Sequence, residues 1–488
     1  MFCVWTLGIV AYFVPGPTWS PVSRFNLTRS LVERGSLSID AVVDSTGDRS
    51  FAHDHWYTDK APVPSLLAIP PYLAARLIGT LHGTMPGYHA VARGDVPAVR
   101  VYVNSDFRRS LYLCSLFTVG VMAVLMTLGL FEALRRRYSP NAAFFGSCAI
   151  LLGTPVFPYA TAMYGHVVAA AFLVGGWIAA GGLAAGEESA DAAPSSRNIA
   201  FAGFAWAAAV GCEYLIAVPA AALGVWLLVR TRRGARIRVA SLLAGGAAVP
   251  VVVVSLYHTL CFGLPWRTGY SFLVRPEFTA GHARGMMGIR WPTMEALYGL
   301  FAGDSRGLFY ISPLSLAACA LVVVAAYRRE LGARMAVFLF CVLGALNAGY
   351  YMWWGGAAAG PRHLVPVIPF LAVGLAWGWH HLPRLRVPLI VLAGISSANV
   401  LAITFVGLEA PEFADVLGQY AWPHVFSPDR PGSYHNSNLG VLVGLSRGVS
   451  VAPLLLWIGL GLRVLVSQLP GLSGPLGGKP ESAVEPAP

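Results

Sequence analysis

Charged side chains that could perform acid–base chemistry are concentrated in one polar segment of a chain that is otherwise apolar. The segment from 24 to 60 contains Arg24, Asp40, Asp44, Asp48, Asp54, Trp56, Tyr57, Asp59 and Lys60. A carboxylate held beside a membrane could serve as general base for an incoming hydroxyl or amine. A lysine or arginine could neutralise a phosphate leaving group. The alternative is a loop that is polar only because water surrounds it.

The stretch YTDKAP, at 57–62, favours the chemical interpretation. An aromatic residue, an acid, a base and a proline stand together there, at the entry to the apolar segment 61–83. That segment is rich in proline, and we expect a helix that lies at the membrane surface or dips into it. A complete membrane span is the alternative.

A second polar segment, 263–307, contains several arginines and a histidine. Its candidate ligands are Tyr270, Arg275, Glu277, His282, Arg284, Arg290, Asp304 and Arg306. Arginines on the outer face would run against the usual excess of positive charge in cytoplasmic loops. The segment is therefore either an anion-binding pocket or a structural cap held by ion pairs.

The third candidate segment is WWGGAAAGPRHL, at 353–364. Its glycines permit a tight turn, which could bring Arg362 and His363 to a ligand at the membrane surface. Trp353 and Trp354 could equally be a sugar-stacking platform or residues of the aromatic belt at the membrane interface.

Two ionisable residues stand inside apolar segments. Glu213 interrupts the apolar run AAAVGCEYLIAVPA. Because placing a carboxylate inside a membrane costs free energy, Glu213 is a candidate functional residue. We expect it to pair with an arginine of an outer loop. His166 lies at the outer end of another apolar run, where it is either structural or catalytic.

The composition places the whole chain in a lipid environment. Of the 488 residues, 56% are hydrophobic and 12% are charged, whereas soluble domains carry about 25% charged residues. The net charge of +11 does not indicate nucleic acid, because the arginines stand at the ends of apolar runs. The scattered cysteines predict neither a disulfide framework nor a zinc site.

Apolar runs long enough for helices predict an all-α, polytopic transmembrane bundle of about 12–13 spans. The runs are 2–15, 112–134, 142–161, 164–184, 199–214, 214–230, 238–262, 308–327, 335–352, 364–382, 387–407 and 439–467. The two runs that meet near Glu213 could form a broken pair. The membrane domain is expected over 1–469, followed by a disordered cytoplasmic tail over 470–488.

Clusters of arginine predict which loops face the cytoplasm. They lie at 135–137, 230–238, 328–334 and 384–386, and the stretch 187–197 is expected on the same side. The loops 16–110, 263–307, 353–363 and 408–438 then share the outer face. The expected location is the inner cell membrane, with an active site that faces outward.

The order of these segments resembles the GT-C glycosyltransferases, and among them the family 39-like and aminoarabinose-transferase-like enzymes. The resemblance covers most of 1–465. It rests on SRFNLTRSLVERGSLSID, YTDKAP, CFGLPWRTGY, RGLFYISP and WWGGAAAGPRHLVPVIPFL. It implies a helix bundle with small juxtamembrane helices in the first outer loop. It also implies transfer of a sugar from a polyprenyl-phosphate carrier to a lipid, glycan or protein.

The resemblance also implies roles for individual residues. The acid–lysine pair beside the carrier phosphate matches Asp59 and Lys60, and the arginine of the early motif matches Arg24. Tyr57, Tyr270, Arg275, His282, Arg362 and His363 complete the candidate binding set. No ligand spacing demands a metal, although a divalent cation remains compatible with the outer carboxylates.

This chain departs from the family pattern at two positions. Many members carry an acid shortly before the arginine of the early motif, whereas this chain reads Ser20-Pro21-Val22-Ser23-Arg24. The base is then another carboxylate, and Asp48, Asp54 and Asp59 are the candidates. His166 stands where a second acid is often found and is a further candidate base.

Two other classes of function compete with the transferase. A transporter or flippase would use Glu213 and His258 as an ion relay through the bundle. A family member that has lost its catalytic acid would act as a partner or scaffold.

Overall fold

The structure is a computed structural model that describes residues 1–81, 90–92, 100–102, 105–183, 194–427 and 437–468. The described chain is mostly helical, as predicted. The helices of the first half are α1 (Phe2–Ala11), α2 (Trp19–Arg34), α3 (Val63–Leu67), α4 (Ile69–Leu81), α5 (Ser105–Ser115), α6 (Val121–Arg135), α7 (Pro140–Leu152), α8 (Val156–Ala160), α9 (Gly165–Ala179), α10 (Ser196–Val210) and α11 (Ala217–Arg230). The predicted tail at 470–488 lies outside the described residues, as does most of the linker at 187–197.

The second half continues the bundle. Its helices are α12 (Arg236–Phe262), α13 (Pro276–His282), α14 (Met294–Phe301), α15 (Leu308–Ile311), α16 (Pro313–Tyr327), α17 (Leu331–Gly349), α18 (Ala372–His381), α19 (Arg386–Val406), α20 (Trp422–Phe426), α21 (Leu439–Leu442) and α22 (Ala452–Ser467). The described strands form antiparallel pairs. They are β1 (Phe13–Val14) with β6 (Ser437–Asn438), β2 (Ser50–Ala52) with β3 (His55–Tyr57), and β4 (Ala90–Ala92) with β5 (Arg100–Tyr102).

Four helical stretches of the described chain are long and apolar enough to cross a membrane. They are Asp106–Arg135, Arg233–Phe262, Gly332–Gly349 and Pro383–Val406. Other apolar runs form shorter helices because glycine or proline divides them. The run 142–161, for example, breaks at Gly153 and Pro155 into α7 and α8. The predicted break near Glu213 is confirmed, since α10 ends at Val210 and α11 begins at Ala217.

The described part of the segment 61–83, which ends at 81, forms two short helices, α3 and α4, rather than one continuous span. Tyr72 and Ala75 of α4 are buried, whereas Leu73, Leu77 and Ile78 are exposed. Helix α4 therefore packs by one face and presents an apolar face outward, as expected for a helix at a membrane surface.

Three long helices connect the two ends of the bundle. Helices α12, α17 and α19 each begin next to one of the arginine clusters. Two clusters meet at that end, where Arg137 pairs with Glu330 and the Tyr138 ring lies 5.9 Å from His380. The opposite ends of α17 and α19 lead into loops that line a large cavity. At 1.5 Å per residue, the 27 residues of α12 place the two ends about 40 Å apart.

Candidate active site

The predicted outer loops meet around one cavity of about 910 Å³. The first loop contributes Trp19, Ser20, Asp48, Asp59 and Lys60 to its wall, and the second contributes Tyr270, Arg275, Glu277, His282 and Arg284. The later loops contribute Tyr350, Tyr351, Trp354, Arg362, His363, Glu409 and Glu412. Segments separated by hundreds of residues thus form one polar, aromatic-walled site at one end of the bundle.

The β2–β3 hairpin brings Asp48 and Asp59 together. Ser50 of β2 pairs with Tyr57 of β3 at the open end of the hairpin. If the same register is continued by two residues on each strand, Asp48 lies opposite Asp59. The Ser23 hydroxyl fixes the hairpin ends, because it donates to the Asp48 carbonyl at 2.6 Å and lies 2.6 Å from the Thr58 hydroxyl. A residue of α2 therefore holds both arms of the hairpin in place.

Lys60 lies between the two aspartates. Its Nζ is 2.9 Å from Asp48 Oδ2 and 3.0 Å from Asp59 Oδ2. All three side chains are largely buried, with side-chain exposures of 12% for Lys60, 13% for Asp48 and 4% for Asp59. One cation thus joins two carboxylates at the cavity wall. The other oxygen of Asp59, Oδ1, is buried without a hydrogen-bond partner among the described residues.

The two carboxyl groups have different proton affinities. Burial raises the pKa of Asp59 to about 6, against the opposing effect of the Lys60 ammonium, and the nearby Asp48 charge raises it further. Burial also acts on Asp48, but the Lys60 ammonium, with Arg362 and Arg24 farther away, holds the pKa of Asp48 below its usual value. Despite its burial, the two aspartates raise the pKa of Lys60, which remains charged.

Asp54 does not belong to this cluster. With His53 it forms the two-residue turn of the hairpin, and both residues have positive φ values, 51° and 64°. Aspartate tolerates this left-handed conformation and is favoured in such turns. The Asp54 side chain is exposed and is absent from the cavity wall. The structure thus gives Asp54 a turn-forming role and separates it from Asp48.

Arg362 is a cation of the cavity wall without an ion pair in the described part of the chain, unlike Lys60 and Arg275. Among the described residues, no Asp or Glu oxygen is recorded within ion-pair distance of its guanidinium, which lies 5.8 Å from the Tyr164 ring centroid. Its Nε has no hydrogen-bond partner in the described chain. Gly355 has a φ of 77°, and a Cβ there would lie 3.0 Å from Arg362 Nε. The predicted glycine turn therefore does bring Arg362 to the site.

His363 also lines the cavity and leads to a buried polar group behind it. Its ring lies 5.3 Å from that of His166, and His166 Nδ1 lies 3.5 Å from Glu213 Oε1. Burial, together with the Arg362 charge, lowers the pKa of His363 well below its usual value, so the ring is neutral. His166 thus lies behind His363 and does not itself belong to the cavity wall.

Arg24 is the arginine that pairs with Glu213. Its Nη2 donates to Glu213 Oε1 at 2.7 Å, and its Nη1 donates to the Ser20 hydroxyl at 2.5 Å. The predicted pairing of Glu213 with an arginine is confirmed, and Arg24 belongs to the segment 16–110 that was predicted as an outer loop. Arg24 was predicted to bind the ligand. It is instead buried behind the cavity and is absent from the cavity wall.

Of the remaining predicted residues, Tyr270, His282 and Arg275 line the cavity, whereas Tyr57 packs behind its wall. Tyr270 and His282 stack in the wall, with ring centroids 4.6 Å apart. Arg275 lies 4.6 Å from the Trp19 ring centroid and 3.4 Å from Glu277, so its charge is partly satisfied. Tyr57 packs behind the wall, 5.6 Å from the Phe262 ring.

Several residues of the wall were not predicted as ligands. Tyr350 and Tyr351 follow the end of α17, and Glu409 and Glu412 follow the end of α19. Their common signal is a polar or aromatic residue within a few positions after the C-terminal end of a long apolar helix. Trp354 lines the cavity, whereas Trp353 packs against Gly299 of α14, so the two tryptophans have different environments.

No protein-family model matches this chain, and no curated protein matches its sequence. The resemblance to GT-C enzymes therefore rests on the quoted motifs. Within the described ranges, no group of three or more His, Cys, Asp or Glu side chains is arranged to hold a metal ion.

Proposed function

We propose that this protein is a membrane glycosyltransferase of GT-C type. It takes a sugar from a polyprenyl-phosphate carrier and transfers it to an acceptor on the outer side of the membrane. The observation that carries the proposal is the Asp48–Lys60–Asp59 cluster in the wall of a cavity that also holds Arg362. Such a site offers a base and phosphate-binding cations within one partly enclosed space.

Asp59 is the proposed general base. Its Oδ1 has no partner among the described residues, and its pKa of about 6 keeps it ionised at neutral pH, yet makes it a better proton acceptor than Asp48. The acceptor hydroxyl attacks the anomeric carbon and loses its proton to Asp59. The bond between that carbon and the phosphate oxygen breaks, and its electron pair leaves with the polyprenyl phosphate.

Lys60 and Arg362 stabilise the leaving phosphate. Lys60 is held in place by two carboxylates, and Arg362 supplies positive charge that no Asp or Glu of the described residues neutralises by an ion pair. A guanidinium can bind two phosphate oxygens at once. Negative charge that develops on the phosphate in the transition state is stabilised most by cations that are already in place. Arg362 suits this role better than Arg275, which already contacts Glu277.

The transporter hypothesis receives less support. Glu213, its proposed relay residue, is paired with Arg24 at 2.7 Å and lies 3.5 Å from His166 Nδ1. His258, the other relay residue, contacts the Tyr214 hydroxyl at 2.8 Å and the Pro265 carbonyl at 3.1 Å. Both groups thus have local partners that account for their burial.

Release of polyprenyl phosphate from a panel of polyprenyl-phosphate sugars tests the proposal. The purified protein is assayed in detergent with a membrane extract as acceptor, beside the Lys60→Met and Arg362→Met variants. Each variant is expected to lose at least ~100-fold in rate, since each removes a group that binds the leaving phosphate. Arg267→Met is the matched control, because Arg267 is an exposed arginine of the predicted outer loop 263–307 and is absent from the cavity wall.

Two results would argue against the transferase. One is a folded, monodisperse protein that releases no polyprenyl phosphate from any donor. The other is release that proceeds equally in the Lys60, Arg362 and Arg267 variants. Uptake of a solute into liposomes that contain only this protein would favour the transporter instead.

A further inference from the structure

An aromatic pair flanks the cavity on the side of the later loops. The Trp354 and Phe413 ring centroids lie 5.2 Å apart at an angle of 46°. Trp354 Nε1 donates to Glu412 Oε2 at 3.2 Å. Trp354 and Glu412 line the cavity, and Phe413 next to them is 59% exposed. Two ring faces and a carboxylate are therefore presented together where the cavity meets solvent.

A buried arginine holds the two halves of this surface together. Arg306 is fully buried and donates to the carbonyls of Trp354 at 3.1 Å, Gly356 at 3.0 Å and Pro411 at 3.4 Å. These carbonyls belong to two segments that lie far apart in the sequence. Because a buried guanidinium requires acceptors, the segments are fixed to it and thereby to each other. The surface is a built feature rather than a chance contact between loops.

The backbone of Phe413 supports the same conclusion. Its φ is 61°, a left-handed conformation that is strained for a residue with a side chain. The ring it carries is exposed and contacts the Trp354 ring. An exposed aromatic ring held in a strained conformation beside a cavity is a candidate ligand contact.

The chemistry of this surface matches a carbohydrate. The face of a pyranose ring carries C–H groups whose partial positive charge is attracted to the negative face of an aromatic ring. The Glu412 carboxylate accepts hydrogen bonds from sugar hydroxyls. An acyl chain would cover the rings but offers no hydrogen-bond donor to the Glu412 carboxylate.

We propose that Trp354, Phe413 and Glu412 form the acceptor subsite, and that the acceptor carries a carbohydrate. The inference rests on the proposed function and narrows it, because a lipid, a glycan and a protein had all been open as acceptors. The acceptor sugar stacks on the two rings while one hydroxyl points toward Asp59 in the same cavity. Arg306 acts as a positioning residue, since it contacts the loops and not the ligand.

Binding of soluble oligosaccharides without any donor tests the subsite. Saturation-transfer difference NMR on the full chain in detergent reports sugar ring protons that lie against aromatic side chains. We expect a hexose oligosaccharide to bind the wild type, and Phe413→Ala and Trp354→Leu to weaken binding at least tenfold. Phe426→Ala is the control, because Phe426 is also exposed beside a tryptophan, Trp422, but outside the cavity wall.

Arg306→Lys tests the positioning role by steady-state kinetics. It is expected to raise KM for the acceptor several-fold while KM for the donor stays within twofold, and a purely structural defect would change both. Binding of no oligosaccharide at millimolar concentration by the folded wild type would overturn the subsite. Equal binding by the Phe413 and Trp354 variants, or binding of an unglycosylated peptide alone, would also overturn it. Failure of the transferase itself would instead appear as no release of polyprenyl phosphate from any donor.

Discussion

The pH dependence of sugar transfer follows from the two aspartates that share Lys60. With Asp59 as the proposed base, transfer requires its ionised form. Burial raises the pKa of Asp59 to about 6, and the negative charge of Asp48 contributes to that increase. Transfer is therefore present above about pH 6 and is lost as the pH falls through that value. Asp48→Asn removes the neighbouring negative charge, so the pKa of Asp59 falls and the acid limb moves to lower pH.

The size of the effect follows from the pKa itself. With a pKa of about 6, roughly one Asp59 side chain in eleven is ionised at pH 5, whereas nearly all are ionised at pH 8. We expect kcat/KM of the wild type to fall roughly tenfold between pH 8 and pH 5. The Asp48→Asn variant should lose less than that over the same interval. Asp59→Asn should be nearly inactive at every pH, with a loss of about 10²–10⁴-fold.

The assay is the initial rate of polyprenyl phosphate release at donor concentrations below KM, from pH 5 to pH 8.5. Thermal unfolding of each variant at both pH limits separates lost activity from lost structure. An Asp59→Asn enzyme that stays active, beside an inactive Asp48→Asn enzyme, would show that Asp48 is the base. An acid limb that does not move in Asp48→Asn would refute the electrostatic coupling of the pair.

Three further predictions concern stability and site geometry. Lys60→Ala leaves two buried carboxylates without their cation, so it should lower thermal stability in detergent by the equivalent of about 3–5 kcal/mol; addition of Asp59→Asn should recover part of that loss. Arg24→Met should destabilise the protein by a similar amount, because the Glu213 carboxylate would lose its ion-pair partner in a largely buried environment. Gly355→Ala should raise KM for the donor. The added Cβ would lie 3.0 Å from Arg362 Nε and displace that guanidinium, and alanine is strained at a φ of 77°.

Each of these predictions has its own control. If the Lys60→Ala, Asp59→Asn double variant were no more stable than Lys60→Ala, the carboxylates would not be the cause of the instability. Glu213→Gln in the Arg24→Met background should restore stability, and its failure to do so would remove the ion-pair explanation. Gly444→Ala matches Gly355→Ala, since its φ is 92° and nothing lies within 4 Å of a Cβ there; it should leave KM unchanged.

The sequence predicts the helices well because each apolar run is long and strongly patterned. It predicts their ends less well, since glycine and proline divide some runs into helices too short to span a bilayer alone. The predicted break near Glu213 is one example. Helix α10 ends at Val210, Gly211 follows it, and Glu213 lies in the connection before α11. Hydropathy therefore predicts the helical fold class, but it does not fix the number of membrane spans.

Local pairing at the site was predictable in part. The turn at His53 and Asp54 implies a register that places Asp48 opposite Asp59, but a hairpin of three-residue strands gives only a weak periodic signal. Without that register, Asp48 and Asp54 were equivalent candidates. Once the turn is recognised, the positive φ of Asp54 explains why an aspartate stands there.

Contacts between distant segments could not be predicted from one sequence. A partner for Glu213 was expected, but its identity as Arg24, 189 residues away, depends on how α2 packs against the α10–α11 break. The same applies to Arg306, whose carbonyl acceptors lie up to 105 residues away. In both cases residue type indicated that a partner was needed, and only the fold determined which one.

Release of polyprenyl phosphate from a polyprenyl-phosphate sugar, compared between wild type and Lys60→Met at equal folded protein, is the most direct test of the proposed chemistry. We predict release in the wild type that depends on an added acceptor and a loss of at least ~100-fold in the variant. A wild type that releases nothing, or a Lys60→Met variant that releases polyprenyl phosphate at the wild-type rate, would contradict it.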